Sequence, residues 1–319
     1  MLLISAEALR DLVSMREAID AVRQAFIDLS LGEIEQPTRV AVGGGSGLAM
    51  IARHRQGGGT VLKAITIRSD NRDRGLPNIQ ALVVWFDGLT GTPLAAIDGT
   101  ALTAMRTGAA SGVATDLLAP RGAAVLAMIG AGAQAPDQVK AVCAVRRIDE
   151  VRVAARSRES AQSLVARLAP ELEVRRIVAC DTIGEALAGA DVVCTATNSG
   201  TPLFQAADLS DRVHVNAIGA YTHSMRELPA DLLSGADVVA IDQLEATLAE
   251  AGDLVDAIKQ GALREQDMVE IGSLLSRKEA PHAGRTVFKS VGVAAQDLAL
   301  ARLATEKASG SPDLPTFEL

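Results

Sequence analysis

The alternation of apolar and polar positions divides the chain into two regions with different strand patterns. Between residues 37 and 98, short β-like runs are separated by glycine-rich or charged turns, which predicts a curved antiparallel sheet. From residue 123 onward, nearly continuous apolar runs alternate with helical segments, which predicts a parallel sheet covered on both faces. The pattern therefore predicts an α/β protein with a doubly wound parallel sheet and a smaller α+β region before it.

Helical periodicity predicts helices before, between and after the strands of these two regions. Ser14 and Glu17 have the spacing of a capping box and begin an amphipathic helix that ends at Gly32. Residues 100–120 form a helix of small side chains, which leaves room for a ligand beside the one guanidinium within it. A single helical segment is expected over residues 244–260, and a last helix over residues 294–304.

Length and composition limit the number of domains and the classes of ligand that are expected. At 319 residues, about two domains are expected, and a net charge of −8 argues against nucleic acid or an anionic membrane as a partner. The three cysteines lack C-x-x-C spacing, so neither a disulfide framework nor a metal site is expected. Since no targeting segment and no run of about 20 apolar residues is present, we expect a cytoplasmic protein with small-molecule ligands.

A glycine motif follows the first strand of the parallel region. The apolar run over residues 124–129 leads into Gly-Ala-Gly-Ala-Gln-Ala and then into a helix, the order that a dinucleotide site requires. Gly130 permits a sharp turn, Gly132 lets the backbone approach a pyrophosphate, and Ala135 lets helix and strand pack closely. The motif alone also fits a plain turn without a ligand, but the surrounding parallel-sheet pattern favours the dinucleotide.

The end of the second strand bears on which dinucleotide binds. An acidic residue usually holds the ribose 2′-hydroxyl there, whereas this chain has Arg156, Ser157 and Arg158. With no carboxylate to repel a 2′-phosphate, NADP(H) is the preferred expectation. The alternatives are a solvated arginine-rich loop and the use of NAD(H), since an arginine can also stack on adenine.

Three cations lie in apolar or small-residue surroundings. Lys63 lies within a predicted strand, Arg106 within the helix of small residues, and Arg39 at the start of a predicted strand. One such residue is explained by an edge position or by snorkelling, but burying a charge is costly without a partner. Together the three suggest a receptor for a carboxylate. A carboxylate anchor that faces a nicotinamide suits an amino or imino acid whose α-carbon exchanges hydride.

The chain resembles the ornithine cyclodeaminase and μ-crystallin family over almost its whole length. The resemblance is carried by the segments QPTRV, VLKAIT, TGTPLAAIDGTALTAMRTGAASG, IGAGAQA, TATNSGTPLF, VNAIGAY and TVFKSVGVAAQDLA. It implies a Rossmann-type domain over residues 120–292. It also implies a substrate-binding and dimerisation domain over residues 1–119 and 293–319, whose strands form one closed barrel with those of a second subunit.

The same resemblance implies roles for individual residues. Arg39, Lys63 and Arg106 would hold the substrate carboxylate. The cofactor would be held by Thr107, Gly130, Gly132, Ala133, Gln134, Arg156, Ser157, Arg158, Thr195, Ala196 and Thr197, with Ser290 near the nicotinamide. No residue is assigned to a metal.

One departure from the family pattern separates its activities. Cyclodeaminases and the related alanine dehydrogenases have an aspartate that acts at the substrate amine, where this chain has Tyr221. A tyrosine, with a reference pKa of about 10, is a poor base at neutral pH. The departure therefore favours the ketimine reductase branch, in which Tyr221 would line the ring pocket, donate a hydrogen bond or only pack. His223 lies in the same loop and is the histidine to test.

We therefore expect an NAD(P)H-dependent reductase that converts Δ1-pyrroline-2-carboxylate or Δ1-piperideine-2-carboxylate to L-proline or L-pipecolate. Within the enzyme class, the alternatives are ornithine cyclodeaminase and an alanine dehydrogenase-like enzyme. An alternative of another class is a crystallin-like protein that binds NADPH and an acid without turnover.

Overall fold

The computed structural model describes residues 1–277, 284–311 and 314–318. The chain forms two compact units, one of Met1–Arg106 with Val293–Leu319 and one of Thr107–Gly292. The division between them falls inside one helix, Gly99–Leu118. Among the described residues, no helix has the length and apolar character needed to cross a membrane, and no three His, Cys, Asp or Glu side chains are grouped to hold a metal ion.

The first unit contains a mixed sheet and its covering helices. Its strands are β1 Leu2–Ile4, β2 Ile34–Glu35, β3 Val40–Val42, β4 Gly47–His54, β5 Thr60–Ile67, β6 Ile79–Phe86 and β7 Pro93–Asp98. Its helices are α1 Ala6–Leu12, α2 Met15–Ser30, the start of α3 Gly99–Leu118, and the final helix Ala294–Ala308. The strand order is β1-β7-β6-β5-β4-β2, with β3 also paired to β4. All pairs are antiparallel except β1 with β7.

The two faces of this sheet have different surroundings. Successive side chains of a strand point to opposite faces, so Val61 and Lys63 of β5 are buried while Leu62 between them is exposed. The final helix packs on β4, β5 and β6 and against α2, and covers the buried face. The capping box of Ser14 with Glu17 is present at the start of α2, as predicted.

The second unit is built on a parallel sheet. Its strands are β8 Val125–Ile129, β9 Glu150–Ala154, β10 Arg176–Ala179, β11 Val192–Thr195, β12 His214–Ala217, β13 Val238–Ile241, β14 Met268–Glu270 and β15 Thr286–Lys289. Its helices, after the end of α3, are α4 Ala135–Val145, α5 Arg158–Leu168, α6 Ile183–Leu187, α7 Ala230–Ser234, α8 Leu244–Glu250, α9 Gly252–Lys259 and α10 Ile271–Arg277. The final helix of the first unit is therefore α11.

The strand order of the parallel sheet is β10-β9-β8-β11-β12-β15-β13-β14. The chain winds outward from β8 through β9 and β10, and then returns to place β11 on the other side of β8. Ligands of such sheets bind outside the carboxyl ends of the strands, where the winding direction reverses. The fold is thus the predicted Rossmann-type doubly wound sheet, and it directs attention to the ends of β8 and β11.

One local prediction was wrong, and three short elements were not predicted. The helix expected over residues 244–260 is broken at Ala251, whose ψ of 92° is extended, so α8 and α9 are separate helices. A side chain at Gly252 would collide with the carbonyl groups of Thr222, His223 and Met225, so a close tertiary contact determines the break. The α7, β14 and α10 elements were not predicted, because segments of three to seven residues are too short to show a clear period.

Candidate active site

Two of the three predicted cations, Lys63 and Arg106, meet at a carboxylate of α11. The ammonium group of Lys63, fully buried on β5, lies 2.8 Å from Oδ1 and 2.7 Å from Oδ2 of Asp297. Nε of Arg106, on α3, donates to Oδ1 of the same carboxylate at 3.2 Å. Asp297 is therefore shared by two cations that are distant from it in the sequence, and it holds both at one place.

A second side chain at the start of α11, Gln296, also binds the guanidinium group of Arg106. Nη1 of Arg106 donates to Oε1 of Gln296 at 2.5 Å, and the same oxygen accepts the backbone N–H of Val293 at 3.3 Å. The neighbouring Gln296 and Asp297 thus fix two edges of the guanidinium, whose planar fork suits several acceptors. Both side chains are fully buried.

The electrostatics of Lys63 depend on this arrangement. Burial lowers the pKa of Lys63 from 10.5 to about 7, Asp297 opposes that change, and the positive charges of Arg106 and Arg39 reinforce it. Arg39 is half-buried, and its charge has the smallest of these effects on the pKa of Lys63. When Lys63 is protonated, two cations and one anion leave a net positive charge in a water-poor place, so the cluster favours a further carboxylate.

The glycine turn of the second unit has the geometry that a dinucleotide requires. Gly130 has a φ of +107°, and a Cβ there would lie 2.6 Å from the carbonyl oxygen of Ala196. Gly132 faces open space, with no atom within 4 Å of a Cβ built on it. The α4 helix begins directly after this turn, and its Gln134 cap makes no side-chain hydrogen bond. Backbone N–H groups at such a helix start are suited to a pyrophosphate.

Polar atoms near the strand ends support the same fit. The hydroxyl oxygen of Thr195, the last residue of β11, is buried without a hydrogen-bond partner in the described part of the chain. Thr107 is buried on α3, and Ala133 is exposed in the glycine turn. The residues present therefore fit a dinucleotide, with a turn for its phosphates and an unsatisfied hydroxyl for a further polar group.

The loop after β9 has a different arrangement from the one expected of a phosphate site. Arg156 is exposed, and Ser157 accepts the backbone N–H of Ser160 at 3.2 Å as the cap of α5. Arg158 forms an ion pair with Asp181, which lies in the segment after β10. A carboxylate thus lies beside this loop, although the sequence offers none within it.

Ser290 and Thr197 are each held by a buried carboxylate of the second unit. Oγ of Ser290 donates to Oδ2 of Asp242 at 2.9 Å, and the N–H groups of Val291 and Gly292 donate to the same oxygen at 3.0 and 2.8 Å. The backbone N–H and hydroxyl of Thr197 donate to Oε1 of Glu227. Asp242 and Glu227 therefore shape the two strand ends at which the sequence predicts cofactor contacts.

Tyr221 and His223 lie in one loop after β12. Tyr221 is half-buried and His223 is exposed. Four of the buried polar residues described above were not predicted from the sequence: Asp297, Gln296, Asp242 and Glu227. The available signal was polar residues within otherwise apolar segments, such as Gln296 and Asp297 in AAQDLALA.

The family model described as "Ornithine cyclodeaminase/mu-crystallin family" matches residues 1–312. The chain belongs to this family. A relative from Bacillus cereus, named Delta(1)-pyrroline-2-carboxylate reductase, is 36% identical over 316 residues, covering 97% of each chain.

Two solved structures of family-like proteins are also similar. The Thermococcus litoralis Delta(1)-pyrroline-2-carboxylate reductase, in complex with NADH and L-proline, has a TM-score of 0.93 and 31% identity, covering 99% of this chain and 100% of that one. An archaeal alanine dehydrogenase dimer with bound NAD has a TM-score of 0.91 and 30% identity, covering 100% and 99%.

Proposed function

We propose that this member of the ornithine cyclodeaminase/mu-crystallin family reduces cyclic α-imino acids with NAD(P)H. The substrates would be Δ1-pyrroline-2-carboxylate and Δ1-piperideine-2-carboxylate, and the products L-proline and L-pipecolate. The observation that carries the proposal is the buried cluster of Lys63, Arg106 and Asp297, which has a net positive charge when Lys63 is protonated and then favours a carboxylate. Relatives named for this reaction support the choice of substrate.

In the proposed reaction, Lys63 and Arg106 bind the carboxylate of the imino acid, and Arg39 adds positive charge beside them. A dinucleotide bound at the glycine turn would supply the hydride for the imine carbon, and the imine nitrogen would take one proton from water. Asp297 holds the two buried cations in place before substrate arrives, so that less ordering is needed on binding. A carboxylate beside Lys63 favours the protonated ammonium and so raises its pKa from about 7.

Tyr221 supports reduction over deamination. Loss of ammonia from ornithine requires a base at the amine, whereas reduction of a preformed imine requires only hydride and a proton. The half-buried phenol at this place is suited to packing against a ring or donating a hydrogen bond. Ornithine cyclodeaminase therefore remains the second candidate, together with an alanine dehydrogenase-like activity.

For the cofactor, we propose a nicotinamide dinucleotide at residues 130–135 and at the ends of β8 and β11, with NADP(H) preferred and NAD(H) accepted. The exposed Arg156 supports binding of a 2′-phosphate. The ion pair of Arg158 with Asp181 weakens that preference, because it neutralises the second arginine of the loop. The ratio of kcat/KM for NADPH and NADH measures the preference directly.

We also propose a homodimer formed through the first unit. The uncovered face of its sheet exposes Ile51, Leu62, Leu82 and Leu94, each by 37% or more of its surface. Adjacent apolar side chains on one sheet face are typical of a protein interface. The dimer of the similar alanine dehydrogenase supports a second copy of this chain as the partner. Light scattering should give twice the mass of 33.1 kDa, and Leu82→Lys should reduce that mass to the monomer.

The deciding experiment follows NADPH and NADH oxidation with both cyclic imines. Turnover with either cofactor supports the proposal, and the absence of turnover with NADPH and with NADH refutes it. Release of ammonia from L-ornithine would identify a cyclodeaminase, and ammonia-dependent reduction of an open-chain 2-oxo acid an amino acid dehydrogenase. NADPH binding without any turnover would identify a binding protein. Lys63→Met is the control, since it should abolish turnover and leave cofactor binding largely intact.

A further inference from the structure

The carboxylate of Glu227 joins two strand ends of the parallel sheet. Its Oε1 accepts the backbone N–H and the hydroxyl of Thr197, at 2.6 and 2.8 Å. Its Oε2 accepts the backbone N–H groups of Gly219 and Ala220, at 2.7 and 3.3 Å. Thr197 follows β11 and the other two residues follow β12. One fully buried side chain therefore fixes the backbone where the fold takes its ligands.

Glu227 is itself held by a buried ion pair. Oδ1 of Asp253 accepts the backbone N–H groups of Glu227 and Leu228, at 2.5 and 3.1 Å. Oδ2 of Asp253 lies 2.9 Å from the ammonium group of Lys289, the last residue of β15, and both side chains are fully buried. Burial raises the pKa of Glu227, while the charge of Lys289 and the bonds from Thr197 oppose that change. Because Glu227 accepts bonds at both oxygens, the carboxylate form fits this network.

The loop of residues 221–226 is closed by the same carboxylate. It is preceded by Ala220, whose N–H donates to Glu227, and is followed by Glu227 itself. A side chain at Gly219 would collide with the backbone of Thr197 and the carboxylate of Glu227. Gly252, at the start of α9, also packs tightly against the loop, because a Cβ there would lie within 2.9 Å of three of its carbonyl oxygens. The loop that carries Tyr221 and His223 is therefore closed at both ends by buried charged groups.

We propose that Glu227 is a positioning residue, held by Asp253 and Lys289, which sets the end of β11 and the loop of residues 221–226 for binding of the dinucleotide and the imino acid. A buried ion pair and carboxylate contribute little stability relative to apolar residues of similar size. Their position at the ligand-binding edge of the sheet is what a positioning role requires. The inference rests on the proposed function for its kinetic part only.

The test compares Glu227→Gln with Glu270→Gln in the full chain. The matched control also removes a carboxylate that accepts a backbone N–H, that of Leu244 at 3.0 Å, but Glu270 lies on β14 at the far edge of the sheet. In Glu227→Gln one oxygen becomes an NH₂ group that faces two donors. Hydrogen exchange of the free protein should then accelerate about tenfold or more at the N–H groups of Thr197, Gly219 and Ala220. The control should leave these rates unchanged.

Ligand binding gives the second readout. We expect Glu227→Gln to raise both the Kd for NADPH and the KM for the imine about tenfold. The Kd is measured by titration of NADPH fluorescence. A purely structural role would lower the active fraction and hence the apparent kcat, with Kd and KM unchanged. Unchanged exchange, unchanged Kd and KM, or equal effects of Glu270→Gln would each overturn the proposal.

Two further outcomes are also decisive. If Glu227→Gln does not fold, Asp253→Asn replaces it and should give smaller changes in the same direction. Failure of both variants to fold would assign the network to stability alone and refute the positioning role. A wild-type protein that binds NADPH but reduces no imine would refute the proposed function, while the NADPH titration and hydrogen exchange would still decide the role of Glu227.

Discussion

Removing Lys63 and removing Asp297 should have opposite effects on stability, because the cluster has two cations and one anion. Burial lowers the pKa of Lys63 from 10.5 to about 7 in the folded protein, despite the opposing charge of Asp297. Since each pKa unit corresponds to about 1.4 kcal/mol, keeping this ammonium charged and buried at pH 7 costs on the order of 5 kcal/mol of folding free energy. The cluster is thus a place where binding chemistry opposes stability.

Lys63→Met leaves one cation, Arg106, with one anion, Asp297, and fills much of the same space. We expect its free energy of unfolding at pH 7 to rise by about 1 to 4 kcal/mol, while imine reduction is lost. Asp297→Asn instead leaves two buried cations without a counter-ion, so its free energy of unfolding should fall by about 3 to 5 kcal/mol. The partly exposed pair of Lys307 with Glu17 provides the control, because Lys307→Met should change stability by only about 1 kcal/mol or less.

Urea unfolding at pH 7 and pH 10 measures the size and the sign of each variant's change in the free energy of unfolding. The folded protein binds the Lys63 proton more weakly than the unfolded chain, so wild-type stability should rise between pH 7 and pH 10. The advantage of Lys63→Met over wild type should therefore shrink across this range. An Asp297→Asn variant as stable as wild type, or a Lys63→Met variant less stable than Asp297→Asn, would contradict this prediction.

Three further predictions follow from the same geometry. The kcat/KM for the imino acid should fall above about pH 7, as the ammonium of Lys63 loses its proton, and a pH profile that stays flat to pH 9 would contradict this. Burial lowers the pKa of His214 from 6.5 to about 4, so stability should fall by up to about 3 kcal/mol as the pH drops from 6.5 to 4, and this loss should be absent in His214→Gln. Gly132→Val should weaken NADPH binding about tenfold or more in a fluorescence titration without lowering the melting temperature appreciably, because its side chain would enter open space beside the turn.

Much of the fold could be predicted from hydrophobic periodicity. Strands predicted over residues 79–86 and 286–289 have the observed bounds, since each segment is rich in β-branched and aromatic residues. The division into α8 and α9 could not be predicted, because residues 244–260 contain no proline and keep a helical period. Gly252 within this segment is only a weak signal, because a helix tolerates a single glycine at a cost of about 1 kcal/mol, and the approach of residues 222–225 to Gly252 decides the break.

The candidate site shows a similar limit, and also how far sequence reasoning can go once the fold is known. Period-two alternation places Lys63 on the buried face of β5, so a carboxylate must come from an element that covers this face. The buried residues of α2 are Ala18, Ile19, Val22, Ala25 and Phe26, none of which is charged. The α11 helix packs on β5 and buries Gln296 and Asp297. The partner of Lys63, 234 residues away, thus follows from the fold and the sequence together, although neither identifies it alone.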